Sequence, residues 1–291
     1  MHVPLRTAVF AATVMLSGCA TIPTTLSQGD HNLIDGAWPY ALLAYNSYHR
    51  VPDFVLPPRF TRVEYHPNDG IGLAYDVYNE RRLDGVSTVF VFRGTEIRNQ
   101  PKLLKRDNCD FKYGNFSYAQ YDEAMAEVDD YVRKHAIPSD RLIFVGHSLG
   151  GGIATEATYR YAGSWGYLFD RSPRFQRPAP YNPTATDAFP FRRTSIAQKL
   201  EILRFARIAF TPPKEFTLSV SCTGGNPIDR HSMRPLGICL TRTAAGSGDN
   251  PIAAEASWTI EHNAALFSSQ PPAENVVDPA TCPEPVPTMR I

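Results

Sequence analysis

The segment that most constrains this chain is residues 146–150, which read Gly-His-Ser-Leu-Gly and follow the apolar run Leu-Ile-Phe-Val at 142–145. Glycines two positions before and two positions after a serine are typical of a buried strand that turns sharply into a helix, because the turn leaves no room for larger side chains. Ile153, Ala157 and Tyr161 continue at helical spacing. The pattern predicts that the Ser148 hydroxyl is exposed at a sheet edge, as a nucleophile requires.

A second candidate strand lies upstream and ends in a small polar residue. Residues 87–92 read Ser-Thr-Val-Phe-Val-Phe, a β-branched and aromatic run that is typical of a buried strand. Arg93, Gly94 and Thr95 follow it directly. This strand is predicted to deliver Thr95 to a loop.

Together, the Phe-Arg-Gly-Thr motif at 92–95 and the Gly-His-Ser-Leu-Gly-Gly motif at 146–151 resemble, in order and spacing, the paired motifs of the class 3 lipases. The resemblance covers roughly residues 35–231 and is strongest between 86 and 158. It implies an α/β-hydrolase fold, with a mostly parallel central sheet flanked by helices. It also implies that Ser148 is the nucleophile. The backbone N–H groups of Thr95 and Leu149, assisted by the Thr95 hydroxyl, would then form the oxyanion hole.

Hydrolases of this fold carry an acid and then a histidine after the serine. His231 and His262 are the two histidines downstream of Ser148. His231 lies in a loop rich in glycine and proline, where it has no reason to pack in a core, whereas residues 258–266 around His262 are typical of an ordinary helix. His231 is therefore the predicted base, and His147 is expected to point away from the nucleophile and serve in packing.

The acid is the point at which the chain departs from the family pattern. The family places an aspartate shortly after the second strand beyond the serine, but residues 192–201 contain none, and Glu201 is the nearest carboxylate. Glu201 is therefore the predicted acid. Asp170, at the end of the preceding predicted strand, and Asp187, in a proline-rich loop, remain alternatives.

These residues predict a serine hydrolase that cleaves carboxylic esters of lipids, as a triacylglycerol lipase or esterase, through an acyl-enzyme. Two alternatives stay open: a phospholipase or acyltransferase with the same triad, and a non-catalytic lipid-binding lipoprotein. The predicted chemistry needs no metal and no cofactor, and the predicted partner is a lipid or small ester substrate. The 29 basic residues balance 29 acidic ones, so the charge gives no sign of a nucleic-acid partner.

The N-terminus is typical of an export signal. Arg6 precedes an apolar stretch at residues 8–16 that is too short to span a bilayer, and Leu-Ser-Gly-Cys follows at 16–19. That tetrapeptide resembles the lipobox of bacterial lipoproteins, which implies acylation of Cys19 and a membrane anchor in the cell envelope. Ala20 behind the cysteine favours the outer membrane. The alternative is an ordinary secretory signal that is cleaved near Ala20.

The predicted organisation is a signal peptide at 1–18, a tether at 19–34, a hydrolase domain at 35–270 and a proline-rich tail at 271–291. Residues 96–116 are a candidate lid. Removing Cys19 from the five cysteines leaves an even number, and Cys222 with Cys239 is the predicted disulfide, against the alternative of four thiols.

Hydrophobic periodicity predicts the remaining elements. A helix is predicted from about residue 118, opened by a capping box of Ser117 and Gln120 and ended by Pro138. The other predicted helices cover residues 37–49 and 201–209, and the other predicted strands cover 60–65, 72–78, 167–169 and 193–197.

Overall fold

The computed structural model describes residues 26–49, 51–67, 71–95, 113–114, 117–174, 192–208 and 215–262. The predicted signal peptide with Cys19, the alternative acid Asp187 and the proline-rich tail lie outside these ranges. Of the candidate lid, Tyr113 and Gly114 are described. Within the described ranges, no helix combines the length and the apolar character needed to cross a bilayer.

In the described part of the chain, seven strands form one central sheet, and they lie side by side in the order in which they occur in the sequence. The strands are β1 (Phe60–His66), β2 (Tyr75–Arg82), β3 (Gly85–Phe92), β4 (Leu142–His147), β5 (Trp165–Phe169), β6 (Arg193–Gln198) and β7 (Phe216–Val220). The described α-helices are α1 (Gln28–Asn46), α2 (Ala119–His135), α3 (Leu149–Arg160), α4 (Arg204–Ile208), α5 (Met233–Gly246) and α6 (Pro251–His262).

The sheet is mixed but mostly parallel. Strands β1, β2 and β3 pair antiparallel, whereas β3 to β7 all run in the same direction. The carboxyl ends of these five parallel strands therefore meet at one edge, where α/β folds generally place their functional side chains. The predicted fold class, an α/β-hydrolase-like sheet flanked by helices, is confirmed.

Strand β3 shows how both faces of the sheet are covered. Because successive side chains of a strand point to opposite faces, Val89 and Val91 belong to one core, and Phe90 and Phe92 belong to the other. The valine side is covered by α1, α5 and α6, and the phenylalanine side is covered by α2 and α3. The continuous apolar run in the sequence thus reflects a strand that is buried on both faces.

One prediction about local structure is wrong, and one strand was missed. The capping box before α2 does not form, because the Gln120 side chain is buried and donates to the carbonyl oxygen of Ile71 at 2.7 Å instead of capping the helix. Strand β7 was not predicted. It is short, and much of it is exposed, so its hydrophobic pattern is weak. In addition, α1 begins at Gln28 rather than at residue 37, and α4 begins at Arg204 rather than at residue 201.

Candidate active site

Ser148 lies at the turn between β4 and α3 in a backbone conformation with φ 55° and ψ −123°. A positive φ is uncommon for a residue other than glycine and persists only where the surroundings hold it. Here the packing is tight enough that a Cβ atom on Gly146 would overlap the Gly150 carbonyl, and one on Gly150 would overlap the Phe92 carbonyl. The two glycines therefore permit the sharp turn that presents the serine.

The Ser148 hydroxyl oxygen lies 2.8 Å from Nε2 of His231, and both residues are buried. His231 ends a short 3₁₀ turn, Asp229–His231, which follows β7. The structure therefore brings together the predicted nucleophile and the predicted base, which are far apart in the sequence. His262, by contrast, ends helix α6 with an exposed ring that is bonded to the Trp258 carbonyl.

Glu201 occupies the other side of the histidine ring. Its Oε2 atom lies 2.8 Å from His231 Nδ1 and also accepts the Leu203 backbone N–H at 2.8 Å. The remaining oxygen, Oε1, accepts a hydrogen bond from the Arg207 guanidinium. Burial alone would raise the pKa of Glu201, but the hydrogen bond from His231 and the positive charge of Arg207 outweigh it and hold this pKa below its ordinary value. The carboxylate is thus kept ionised beside the ring.

Arg207 also belongs to the site, although no pattern in the sequence pointed to it. It belongs to the short helix α4, and it also donates to the backbone carbonyl of Arg171 at 2.8 Å. Arg171 in turn forms a buried ion pair with Glu215 at 2.9 Å. Arg207 therefore links Glu201 to Arg171, whose side chain is itself held by Glu215.

Asp170, the alternative acid, is fully buried at the end of β5 with φ 40°. Its Oδ1 atom accepts the backbone N–H of Gln198 at 2.7 Å, and its Oδ2 atom has no hydrogen-bond partner among the described residues. Burial raises the pKa of Asp170 to about 7, against an attraction to His231 that lowers it. Both ring nitrogens of His231 are already engaged by Ser148 and Glu201, so Asp170 is a neighbour of the ring rather than its hydrogen-bond partner.

The two predicted oxyanion donors flank Ser148. Thr95 is buried just beyond β3, and its neighbour Gly94 lies so close that a Cβ atom there would be 2.9 Å from the Ser148 Cβ. Leu149 is the first residue of α3, and the N–H groups of a first helical turn have no acceptor within the helix. Leu149 thus follows the serine directly in the chain, and Thr95 follows a glycine that packs against the serine.

His147 does more than the packing that we predicted. It is buried, and both ring nitrogens are engaged: Nε2 lies 2.9 Å from the His231 carbonyl oxygen, and Nδ1 lies 2.8 Å from the Tyr48 hydroxyl. Burial, with the nearby His231, holds the pKa of His147 well below its usual range. No sequence pattern pointed to Tyr48, because its link to His147 spans 99 positions.

One group of side chains in the described part of the chain is close enough to hold a metal ion. His147, Asp170 and His231 offer ligand atoms within 4.8 Å of one another. Each of the four imidazole nitrogens, however, already has a hydrogen-bond partner in Tyr48, Glu201, Ser148 or the His231 carbonyl. A metal would have to break these bonds, so the cluster does not fit a metal site.

The loop that carries His231 is held at both ends. Cys222, just after β7, and Cys239, in α5, form the predicted disulfide. The bridge encloses His231 within a segment with a sequence separation of 17. It thereby ties the loop of the predicted base to the core of the domain.

Comparisons with known proteins find no matching protein-family model and no matching curated protein. Solved structures that match include a triacylglycerol lipase with a serine protease triad at its catalytic centre, with 17% identity over 63% of this chain and 77% of that one and a TM-score of 0.38. Two Rhizomucor miehei lipase structures also match. The propeptide complex has 16% identity over 74% and 79% of the two chains with a TM-score of 0.40, and the triacylglyceride lipase has 17% over 62% and 75% with a TM-score of 0.35.

Proposed function

We propose that this protein is a serine hydrolase that cleaves carboxylic esters through an acyl-enzyme. The observation that supports the proposal is an unbroken chain of hydrogen bonds from the Ser148 hydroxyl through both nitrogens of His231 to Glu201, with 2.8 Å at each ring nitrogen. A serine beside a base that a carboxylate orients is the arrangement by which proteins activate a hydroxyl group as a nucleophile.

In the first half of the reaction, Ser148 Oγ attacks the ester carbonyl while its proton passes to His231 Nε2. The Glu201 carboxylate accepts the Nδ1–H, which fixes the tautomer and stabilises the imidazolium that forms. The carbonyl oxygen becomes negatively charged and receives the backbone N–H groups of Leu149 and Thr95, each worth about 3 kcal/mol in the transition state. The tetrahedral intermediate then collapses, and His231 returns the proton to the departing alcohol.

In the second half, water attacks the acyl-enzyme. His231 takes a proton from the water as its oxygen bonds to the acyl carbon, and the same N–H donors hold the new oxyanion. Collapse releases the carboxylic acid, and the proton on Nε2 returns to Ser148. The enzyme is thereby restored without a cofactor.

A lipid ester is the substrate class that we propose. Leu200 and Ile202 flank the acid in sequence and are both largely exposed, as is Ile228 beside the His231 turn. The backbone N–H of Ile202 donates to the Pro227 carbonyl at 3.1 Å, so these loops lie together. Exposed apolar side chains on the loops that carry the acid and the base favour a substrate with an apolar surface.

Covalent labelling tests the proposed chemistry. A fluorophosphonate probe should modify Ser148, as located by peptide mass spectrometry, and Ser148→Ala should abolish both labelling and hydrolysis of p-nitrophenyl esters while the melting temperature stays close to wild type. An unlabelled wild-type protein would identify a non-catalytic lipid-binding protein. A panel of acylglycerols and phospholipids, with and without an acyl-acceptor alcohol, then separates a lipase from a phospholipase or an acyltransferase.

We also infer that Cys19 is acylated and anchors the protein in a bacterial envelope, in the outer membrane facing the periplasm or the exterior. The support is the lipobox-like Leu-Ser-Gly-Cys at 16–19. Multiple acyl chains hold a protein stably on a membrane, whereas one chain does not. Cys19→Ala should therefore move the protein from the membrane fraction to the soluble or uncleaved pool. Unchanged fractionation with cleavage near Ala20 would contradict the anchor.

A further inference from the structure

Tyr48 and His147 join the two sides of the candidate site through a continuous chain of hydrogen bonds. The Gly94 N–H donates to the Tyr48 hydroxyl oxygen at 3.0 Å, and this oxygen lies 2.8 Å from His147 Nδ1. On the far side of the ring, His147 Nε2 lies 2.9 Å from the carbonyl oxygen of His231. The chain thus runs from the loop after β3, across the end of β4, to the turn that carries the base.

The donor and acceptor of each bond follow from elementary chemistry. A carbonyl oxygen only accepts, so His147 Nε2 carries the proton and donates to the His231 backbone. In a neutral imidazole the other nitrogen is then an acceptor, and it receives the Tyr48 hydroxyl proton. Because burial holds the pKa of His147 well below its usual range, this neutral form persists at neutral pH. All of these donors and acceptors are therefore compatible in one arrangement.

At one end of these hydrogen bonds, Gly94 packs closely against its neighbours. A Cβ atom on Gly94 would lie 2.6 Å from the Tyr48 hydroxyl oxygen and 2.9 Å from the Ser148 Cβ. Glycine therefore lets one stretch of backbone contact both Tyr48 and the nucleophile. The next residue along this backbone is Thr95, whose N–H is the proposed oxyanion donor.

We propose that Tyr48 and His147 are positioning residues that hold the Thr95 loop and the His231 turn in register with Ser148. The inference rests on the proposed function, because it concerns the oxyanion donor and the base of that reaction. Tyr48 acts through the backbone of Gly94, and His147 acts through the backbone of His231. Neither side chain has to contact the reacting atoms, since a displacement of about 1 Å in a catalytic group can cost about 100-fold in rate.

The first test removes a single oxygen atom. Tyr48→Phe should lower kcat about 10- to 100-fold with little change in KM, because the loss falls on transition-state geometry rather than on substrate binding. Tyr40→Phe is the matched control. Tyr40 lies in α1, and its hydroxyl donates to Glu80 at 2.8 Å, where β2 pairs with the start of β3, away from the site. The control should keep wild-type turnover.

The second test concerns His147. His147→Gln retains an amide N–H that can donate to the His231 carbonyl, so it should keep more activity than His147→Ala. His147 accepts the Tyr48 hydroxyl proton and so orients that hydroxyl toward the Gly94 N–H. Because His147→Ala removes this orientation, Tyr48→Phe should add little to the loss that His147→Ala already causes. A Tyr48→Phe variant with turnover within twofold of wild type, or fully additive losses, would overturn the proposal. Fluorophosphonate labelling of the wild-type protein reports separately on the proposed function, so the two failures are distinguishable.

Discussion

The carboxylate of Glu201 binds His231 Nδ1 with one oxygen and the Arg207 guanidinium with the other. The acid is therefore held from two directions, and it cannot turn away from the imidazole without losing a charged hydrogen bond. Its complete burial makes each of these bonds strong, because no water competes for the carboxylate. This arrangement supports a long-lived orientation of the base toward Ser148.

Neutralising this carboxylate should remove most of the turnover. Glu201→Gln keeps the shape of the side chain but does not stabilise an imidazolium or enforce the Nδ1–H tautomer, and we expect kcat to fall by about 10⁴. Steady-state hydrolysis of a p-nitrophenyl ester measures the effect. Asp229→Asn is the control, since Asp229 lies in the same turn as His231 but is exposed and accepts its hydrogen bond from Asn226. Near-normal turnover in Glu201→Gln would show that Glu201 is not the acid.

Arg207 should keep Glu201 ionised at low pH. Because its positive charge helps to hold the pKa of Glu201 below the ordinary 4.5, Arg207→Gln should raise that pKa. Glu201 then loses its charge, and with it its support of the His231 imidazolium, at a higher pH, so the acidic loss of kcat should move to higher pH. Stability should depend on pH in the same direction as kcat. A carboxylate whose pKa is lowered on folding stabilises the folded state at pH values above its unfolded-state pKa, and this contribution is lost as the pH falls through its folded-state pKa.

The measurement is kcat and the melting temperature of Arg207→Gln between pH 4 and 7. Arg204→Gln serves as the control, because Arg204 lies on the same helix α4 with an exposed side chain. An acidic limb that does not move in Arg207→Gln would show that Arg207 does not stabilise the ionised acid.

Asp170 should make stability fall as the pH rises. Its folded-state pKa of about 7 lies above the ordinary 3.8, so the stabilising neutral form is fully present below pH 3.8 and is lost as the pH rises through 7. Asp170→Asn stays neutral at every pH, and asparagine tolerates the positive φ at this position. The melting temperature of the variant relative to wild type should therefore increase between pH 4 and pH 8. The corresponding difference in the free energy of unfolding has an upper limit of about 4 kcal/mol.

Calorimetry at four or five pH values measures this difference. A constant offset between Asp170→Asn and wild type across the range would contradict the raised pKa. Turnover of the same variant at pH 6 also separates the two carboxylates, since Asp170→Asn should retain most of the kcat that Glu201→Gln loses.

The parts of this structure that the sequence predicted well are those with strong local signals. The glycines around Ser148 predict a sharp turn because steric crowding acts over a few residues, and the continuous apolar run in β3 predicts a buried strand. The hydrophobic pattern of β7 is too weak to predict a strand, since much of that short strand is exposed. Gln120 matches a local capping pattern, but a buried bond to Ile71 overrides it.

The arrangement around His231 was only partly predictable, because local sequence patterns do not report contacts between distant segments. Asp170 and Glu201 both follow parallel strands, so strand order alone does not rank them, and the ranking depends on which carboxylate faces Nδ1. Tyr48 reaches its partner across 99 positions, and Arg207 depends on the fold of the loop after β6. Contacts of this kind are made by tertiary structure and leave no pattern in the neighbouring residues.

Gly146 and Gly150, the glycines of the sharp turn at Ser148, should be strictly required. Gly150→Ala places a Cβ atom against the Phe92 carbonyl, which is backbone and does not move aside cheaply, so we expect severe destabilisation or failure to fold. Gly36→Ala is the matched control, because this glycine lies inside α1 with no atom within 4 Å of the added Cβ. It should raise the unfolding free energy by about 0.5–1 kcal/mol. Denaturant unfolding measures the free energy of unfolding of both variants, and equal values would contradict the steric crowding at the Ser148 turn.

The Cys222–Cys239 disulfide should protect the site against heat more than it contributes to turnover. It closes a segment with a sequence separation of 17, so removing it should cost about 3 kcal/mol of unfolding free energy, mainly by freeing the unfolded chain. Glu201 and His147 still hold His231 in the folded state, and kcat at 25 °C should stay within about threefold of wild type in Cys222→Ala/Cys239→Ala. Thermal inactivation and kcat, measured on the same preparations with and without reductant, separate the two effects. A large loss of kcat at 25 °C with an unchanged inactivation rate would mean that the bridge positions the histidine rather than stabilising the fold.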